Sequence, residues 1–161
     1  MAITYKLIEA QTLTTNTATV NFTSIPQTFT DLLVKVSAKS NTTGWADIII
    51  RFNSDSTTYL NRRIYSNAGS VGQDDSEWTN FSSVVNGTYQ FSNIDYYVPD
   101  YTSSRKTNWL VTNSNAQNHA NEGFASWGTG NWDGATAVTS LQISDYNTTM
   151  QAGSTFYLYG I

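Results

Sequence analysis

The chain has 161 residues, no cysteine, 12% charged residues and a formal net charge of −4. That length suits one domain burying roughly 70% of its unfolded-state surface, and the missing thiols exclude a disulfide framework or a thiolate metal site. The sparse charge, with Arg62-Arg63 and Arg105-Lys106 as the only local basic pairs, argues against a phosphate-backbone interface, which needs several cations on one face.

Met1 to Ala10 lacks a basic stretch followed by an apolar one, so no signal peptide is expected. No apolar run approaches the ~20 residues of a membrane span. The absence of cysteine points to a protein finished in a reducing cytoplasm. Ala18 to Phe22 is the first clean period-two segment. Asp31 to Lys39 follows, with Leu32, Val34, Val36 and Ala38 on one face. Trp45 to Asn53 sets Ile48, Ile50 and Phe52 against Asp47, Ile49 and Arg51. Ser66 to Asp75 reads as a long loop, and Asp100 to Lys106 as another. Ile94, Tyr96 and Val98 alternate before Pro99, and Lys106 to Asn113 carries Trp109 and Val111. Glu122 to Trp127 has a weaker strand pattern, ending at Gly128-Thr-Gly-Asn131, which reads as a polar turn like Ser40 to Gly44 and Asn53 to Ser56.

Two more strands are expected near the end of the chain. Val138 to Ile143 turns Leu141 and Ile143 inward, and Thr155 to Tyr159 turns Phe156 and Leu158 inward. Between them Gly153 sits where a turn needs a residue tolerant of positive φ. No long segment carries a 3.6-residue apolar period, and β-branched residues crowd the apolar runs. The expectation is all-β: a single-domain antiparallel β-sandwich over residues 1–161.

Chemistry is harder to assemble. The single histidine, His119, lies in a polar run without a G-x-S-x-G nucleophile motif, so it reads as a loop or surface residue. Asp74, Asp75 and Glu77 lack the ligand spacing of a calcium loop and read as a solvated loop. Carboxylate pairs such as Asp95 with Asp145 exist, but nothing in the sequence selects one for glycoside hydrolysis. No catalytic residue, metal site or cofactor is expected. Aromatic residues make up 14% of the chain, with five Trp and ten Tyr, while Ser, Thr and Asn supply about a third. Tyr96, Tyr97, Tyr101, Trp127 and Trp132 are the candidate partner-binding residues, because rings in loops anchor sugars and protein interfaces. Core packing is the competing role for each, and alternation puts either Tyr96 or Tyr97 inside.

Three stretches carry a resemblance: I-P-Q-T-F-T-D-L-L-V-K-V-S-A-K-S (25–40), I-I-R-F-N-S-D-S-T-T-Y (49–59) and A-G-S-T-F-Y-L-Y-G-I (152–161). They resemble a group of small virion proteins of tailed bacteriophages, notably phages of aquatic bacteria and cyanobacteria. The likeness runs from the first strand to the last residue, apart from Gly69 to Thr88, which fits no pattern. It implies a jelly-roll-like sandwich, and a non-enzymatic decoration (cement) protein on the outer surface of the capsid. That protein would be a homotrimer bound to the major capsid protein. The alternative it implies is a tail-fibre or receptor-binding module whose partners are tail proteins or host glycans. Neither reading involves nucleic acid or membrane.

Overall fold

A computed structural model describes residues 4–42, 45–56, 59–67, 70–76, 80–85, 91–116, 123–146 and 148–161. Among them there is no helix. The strands are β1 (Lys6–Thr12), β2 (Thr19–Phe22), β3 (Leu32–Ala38), β4 (Trp45–Phe52), β5 (Tyr59–Asn67) and β6 (Ser70–Ser76). They continue with β7 (Asn80–Val85), β8 (Ser92–Val98), β9 (Thr107–Ala116), β10 (Gly123–Trp132), β11 (Leu141–Asp145) and β12 (Thr155–Gly160). An eight-stranded sheet, ordered β1-β12-β3-β8-β9-β10-β5-β6, packs against a four-stranded one, β2-β11-β4-β7, and every neighbouring pair is antiparallel.

The topology becomes simple once two hairpins are set aside. Without β5–β6 and β9–β10, the remaining order is β1-β12-β3-β8 over β2-β11-β4-β7. Those eight strands form the two interlocked Greek keys of a jelly roll. Hairpin β5–β6 is inserted between β4 and β7, and hairpin β9–β10 between β8 and β11. Both add to the same edge of the larger sheet, beyond β8.

Period-two alternation builds the core of the jelly roll. Leu32, Val34, Val36 and Ala38 of β3 face Ile48, Ile50 and Phe52 of β4 across the sandwich, joined by Leu141, Ile143, Phe156 and Leu158, all buried. Burying side chains of this size stabilises by about 1.5–3 kcal/mol each against the entropy of ordering them. Gly153 takes φ +89°, as its turn requires, and Asn53 turns the chain after β4 at φ 51°. The Asn53 side chain donates to the Ala137 carbonyl at 2.8 Å and accepts from the Thr139 amide at 2.8 Å, tying that turn to the approach to β11.

An aromatic cluster bolts the inserted strands to the jelly roll. Phe52 of β4 meets Trp109 of β9 at 5.3 Å, Trp132 of β10 at 5.6 Å and Tyr59 of β5 at 6.3 Å between ring centroids. Arg63 of β5 adds a polar tie, pairing with Asp47 of β4 at 3.3 Å and Asp74 of β6 at 2.5 Å. Its guanidinium also lies over the rings of Tyr65 and Phe124.

Three readings of local structure are corrected. Within Ser66 to Asp75, Ser66 and Asn67 end β5 and Ser70 to Asp75 belong to β6 rather than to a loop, because β6 is a polar edge strand held by its backbone ladder to β5; Ala68 and Gly69 lie outside the described residues. Asp74 and Asp75 therefore stand on a strand opposite Arg63 and Arg62. Gly128 to Asn131 is interior to β10. Gly130 fits there because the indole of Trp109 lies across it, where a Cβ would collide with the ring.

Candidate functional site

Strand register places side chains on the solvent face of the larger sheet in rows that cross the strands. One row reads Tyr157, Lys35, Asp95, Thr112, Trp127, Ile64 and Gln73, from β12 through β3, β8, β9, β10 and β5 to β6. The next row reads Thr155, Ser37, Asn93, Ser114, Ala125, Ser66 and Val71. On the other side lies Leu7, Tyr159, Leu33, Tyr97, Leu110, Thr129, Arg62 and Asp75.

Two chemically distinct zones result. The first is apolar and sits on the inserted hairpins: Leu60 (62% exposed), Ile64 (55%), Leu110 (54%), Trp127 (55%) and Val71 (83%) all point to solvent. Single exposed apolar residues, such as Leu60 between Arg62 and Asn131, are ordinary, but Leu110, Trp127, Ile64 and Val71 are direct or diagonal neighbours across β9, β10, β5 and β6 and make a patch that marks an interaction surface. The second zone is a shallow groove of about 570 Å³ where the jelly-roll strands meet β9 and β10. Tyr157, Tyr159 and Trp127 supply its rings, while Ser37, Asn93, Asp95, Thr112, Ser114 and Thr155 supply polar groups. Lys35 lies in it paired to Asp95 at 2.6 Å, so the groove holds no net charge from that pair.

The five aromatic candidates divide sharply. Trp127 and Tyr97 stand on the outer face, and of the two Trp127 is the exposed one. Tyr96, Tyr101 and Trp132 are core residues and present no ring to a partner. Tyr96 points inward from β8 by alternation, and Tyr101 donates its hydroxyl proton to the Pro26 carbonyl beneath the loop after β8. Trp132 closes β10 over Phe52, its indole N–H donating to Asp55 Oδ2 at 2.9 Å. Tyr97 is on the outer face but committed: its hydroxyl donates to Asp31 Oδ2 at 2.7 Å, and the same carboxylate accepts the Asp100 amide at 3.0 Å. That hydrogen bond, helped by burial and the Asp31 charge, pushes the phenol up to about 12.

Among the described residues, no catalytic constellation assembles. His119 and Glu77 lie outside the described residues. Asp95 and Asp145 belong to different sheets. Asp145 is buried, accepting from Ser40 Oγ at 2.5 Å and the Thr148 amide at 3.0 Å, which fastens the turn after β11. Among the described residues, no group of three His, Asp or Glu gathers to hold a metal ion. Sequence reasoning missed Leu60, Ile64, Leu110, Tyr157 and Tyr159. The signal that finds them is an apolar or aromatic residue at the outward phase of a strand whose inward phase is already accounted for. Compared with family models, curated proteins and solved structures, the chain matches none.

Proposed function

We propose that this protein is a non-enzymatic virion component that decorates the outside of a phage capsid, attaching through the solvent face of its larger sheet. The observation that carries this reading is the apolar patch of Leu110, Trp127, Ile64 and Val71 on strands added to a jelly roll. The jelly roll is complete without those strands, so their outward apolar residues serve contacts beyond the domain. The resemblance to small tailed-phage virion proteins supplies the setting, and the capsid shell, through its major capsid protein, is the partner.

Docking buries these side chains against capsid subunits, with Trp127 and its neighbours as the central anchors. Full burial of each is worth about 1.5–3 kcal/mol before the cost of association. A homotrimer presents the patch three times, so weak single contacts add through multivalency, and closed threefold symmetry suits the local threefold positions of a shell. Contacts dominated by apolar area keep their strength in salt. Particles lacking the protein are expected to burst or lose DNA at lower temperature or ionic strength than particles carrying it. Equal robustness would contradict the cement role. A second reading, recognition of host glycans from a tail fibre, is favoured by the polar and aromatic groove beside the patch.

A further inference from the structure

From the geometry of the groove we infer that it is a binding site for a neutral glycan chain lying across the strands, about four pyranose units long. The inference rests on the recognition reading, and the groove shares only Trp127 with the shell-binding patch.

The length follows from strand spacing. The groove spans β12, β3, β8, β9 and β10, four steps of sheet spacing, which is about 19 Å and holds about four linked sugar rings. Its two ends are aromatic, with Tyr157 stacked on Tyr159 (centroids 6.5 Å, 24° apart) at one and Trp127 at the other. Such faces take up the C–H side of a pyranose and exclude water from it. Between them the floor carries the Lys35–Asp95 ion pair and the hydroxyl and amide groups of Thr112, Ser37, Asn93 and Ser114. Asn93, Thr112 and Ser114 are exposed and make no side-chain hydrogen bond among the described residues. They offer both donors and acceptors, the pattern that sugar hydroxyls require.

Other ligand classes fit worse. A phosphate backbone or an acidic sugar needs unpaired cations, and the Lys35 charge in the groove is met by Asp95. An amphipathic helix needs an apolar trough, and this floor is polar. A β-strand partner needs a free sheet edge, whereas the groove crosses interior strands of the sheet.

The test is calorimetric titration of the intact protein with cellotetraose, maltotetraose, linear mannotetraose and a sulfated tetrasaccharide. At least one neutral tetrasaccharide is expected to bind saturably, and more tightly than its own disaccharide. Trp127→Ala and the pair Asn93→Ala/Ser114→Ala are each expected to weaken binding about tenfold or more, roughly 1.4 kcal/mol. Val71→Ser, remote from the groove, should leave it unchanged. No binding to any neutral chain, preference for the sulfated one, or binding indifferent to both groove variants overturns the inference. Capsid attachment separates the two ideas: Ile64→Glu should impair it and spare glycan binding, and Asn93→Ala/Ser114→Ala should do the reverse.

Discussion

Replacing Arg63 by alanine tests whether the inserted hairpin is held to the jelly roll as described. Arg63 is nearly enclosed (13% side-chain exposure), whereas its partners Asp47 and Asp74 keep 35% and 43%. Solvent screening of those carboxylates limits each ion pair to about 0.5–1 kcal/mol. The guanidinium over Tyr65 and Phe124, at 5.4 and 5.9 Å, adds about 1 kcal/mol. The expected loss is therefore about 2–3 kcal/mol in urea denaturation near pH 7. Arg63→Met, which keeps the packing of the stem, should lose less. Native-state hydrogen exchange should accelerate most in β5 and β6.

A pH series sharpens the same test. Burial raises the Asp47 carboxyl above its ordinary 3.8, and Arg63 partly opposes the rise. A carboxyl whose folded pKa lies above its unfolded value gives stability that is present at low pH and lost as pH climbs through the folded pKa. Removing Arg63 raises Asp47 further and steepens that loss. The deficit of the alanine variant should accordingly be smaller in acid than at neutral pH. A deficit below about 0.5 kcal/mol at neutral pH, or one that grows on acidification, would refute the reasoning.

Other expectations follow from packing and titration. Gly130→Ala forces a methyl group into the Trp109 indole and should cost about 1–3 kcal/mol, read as a lowered urea midpoint with loss of near-ultraviolet tryptophan dichroism. Phe52→Ala opens the cluster of Trp109, Trp132 and Tyr59 and should cost about 3–5 kcal/mol in the same assay. Tyr97→Phe removes the hydrogen bond to Asp31 and should cost about 1 kcal/mol at neutral pH. Because the Tyr97 phenol is raised from 10.0 to about 12, its contribution is full below the lower value and lost as pH rises through the upper one. Alkaline denaturation should then converge for wild type and variant.

Strands β2, β3, β4, β8, β9, β11 and β12 were legible, whereas β1, β5, β6, β7 and the second half of β10 were not, and the phase of the apolar residues is what separates β5 from the legible strands. In β3, β4, β11 and β12 the apolar residues face the core, so alternation marks both the strand and its buried side. In β5 the phase is inverted: Tyr59, Asn61, Arg63 and Tyr65 lie inward while Leu60 and Ile64 face solvent. A rule that equates apolar with inward finds nothing coherent in such a segment. β6 is an edge strand with little apolar content, and β10 carries Gly130 where the Trp109 indole crowds the backbone. Local composition therefore spoke for loops, and tertiary pairing overrode it.

The candidate site shows the same division. Trp127 was visible as an aromatic next to a glycine-rich run, but so was Trp132, and the strand phase separates them: odd positions of β10 face out and even positions face in. Tyr96 and Tyr97 posed the same choice, settled by Ile94 and Val98, which share the phase of Tyr96. Alternation with Phe156 and Leu158 turns Tyr157 and Tyr159 outward, yet their pairing with Trp127 across one groove depends on strand order, which no local pattern encodes.

The most direct trial of the account is immunogold electron microscopy of phage particles carrying either the wild-type protein or the Ile64→Glu/Leu110→Glu variant. Both proteins should fold, since the two side chains are exposed. Wild-type label should be scattered over the capsid shell, and the variant should leave the shell bare. Label confined to the tail, or a variant that decorates the shell as densely as wild type, would contradict the claim that the extended sheet face is what holds this protein to its capsid.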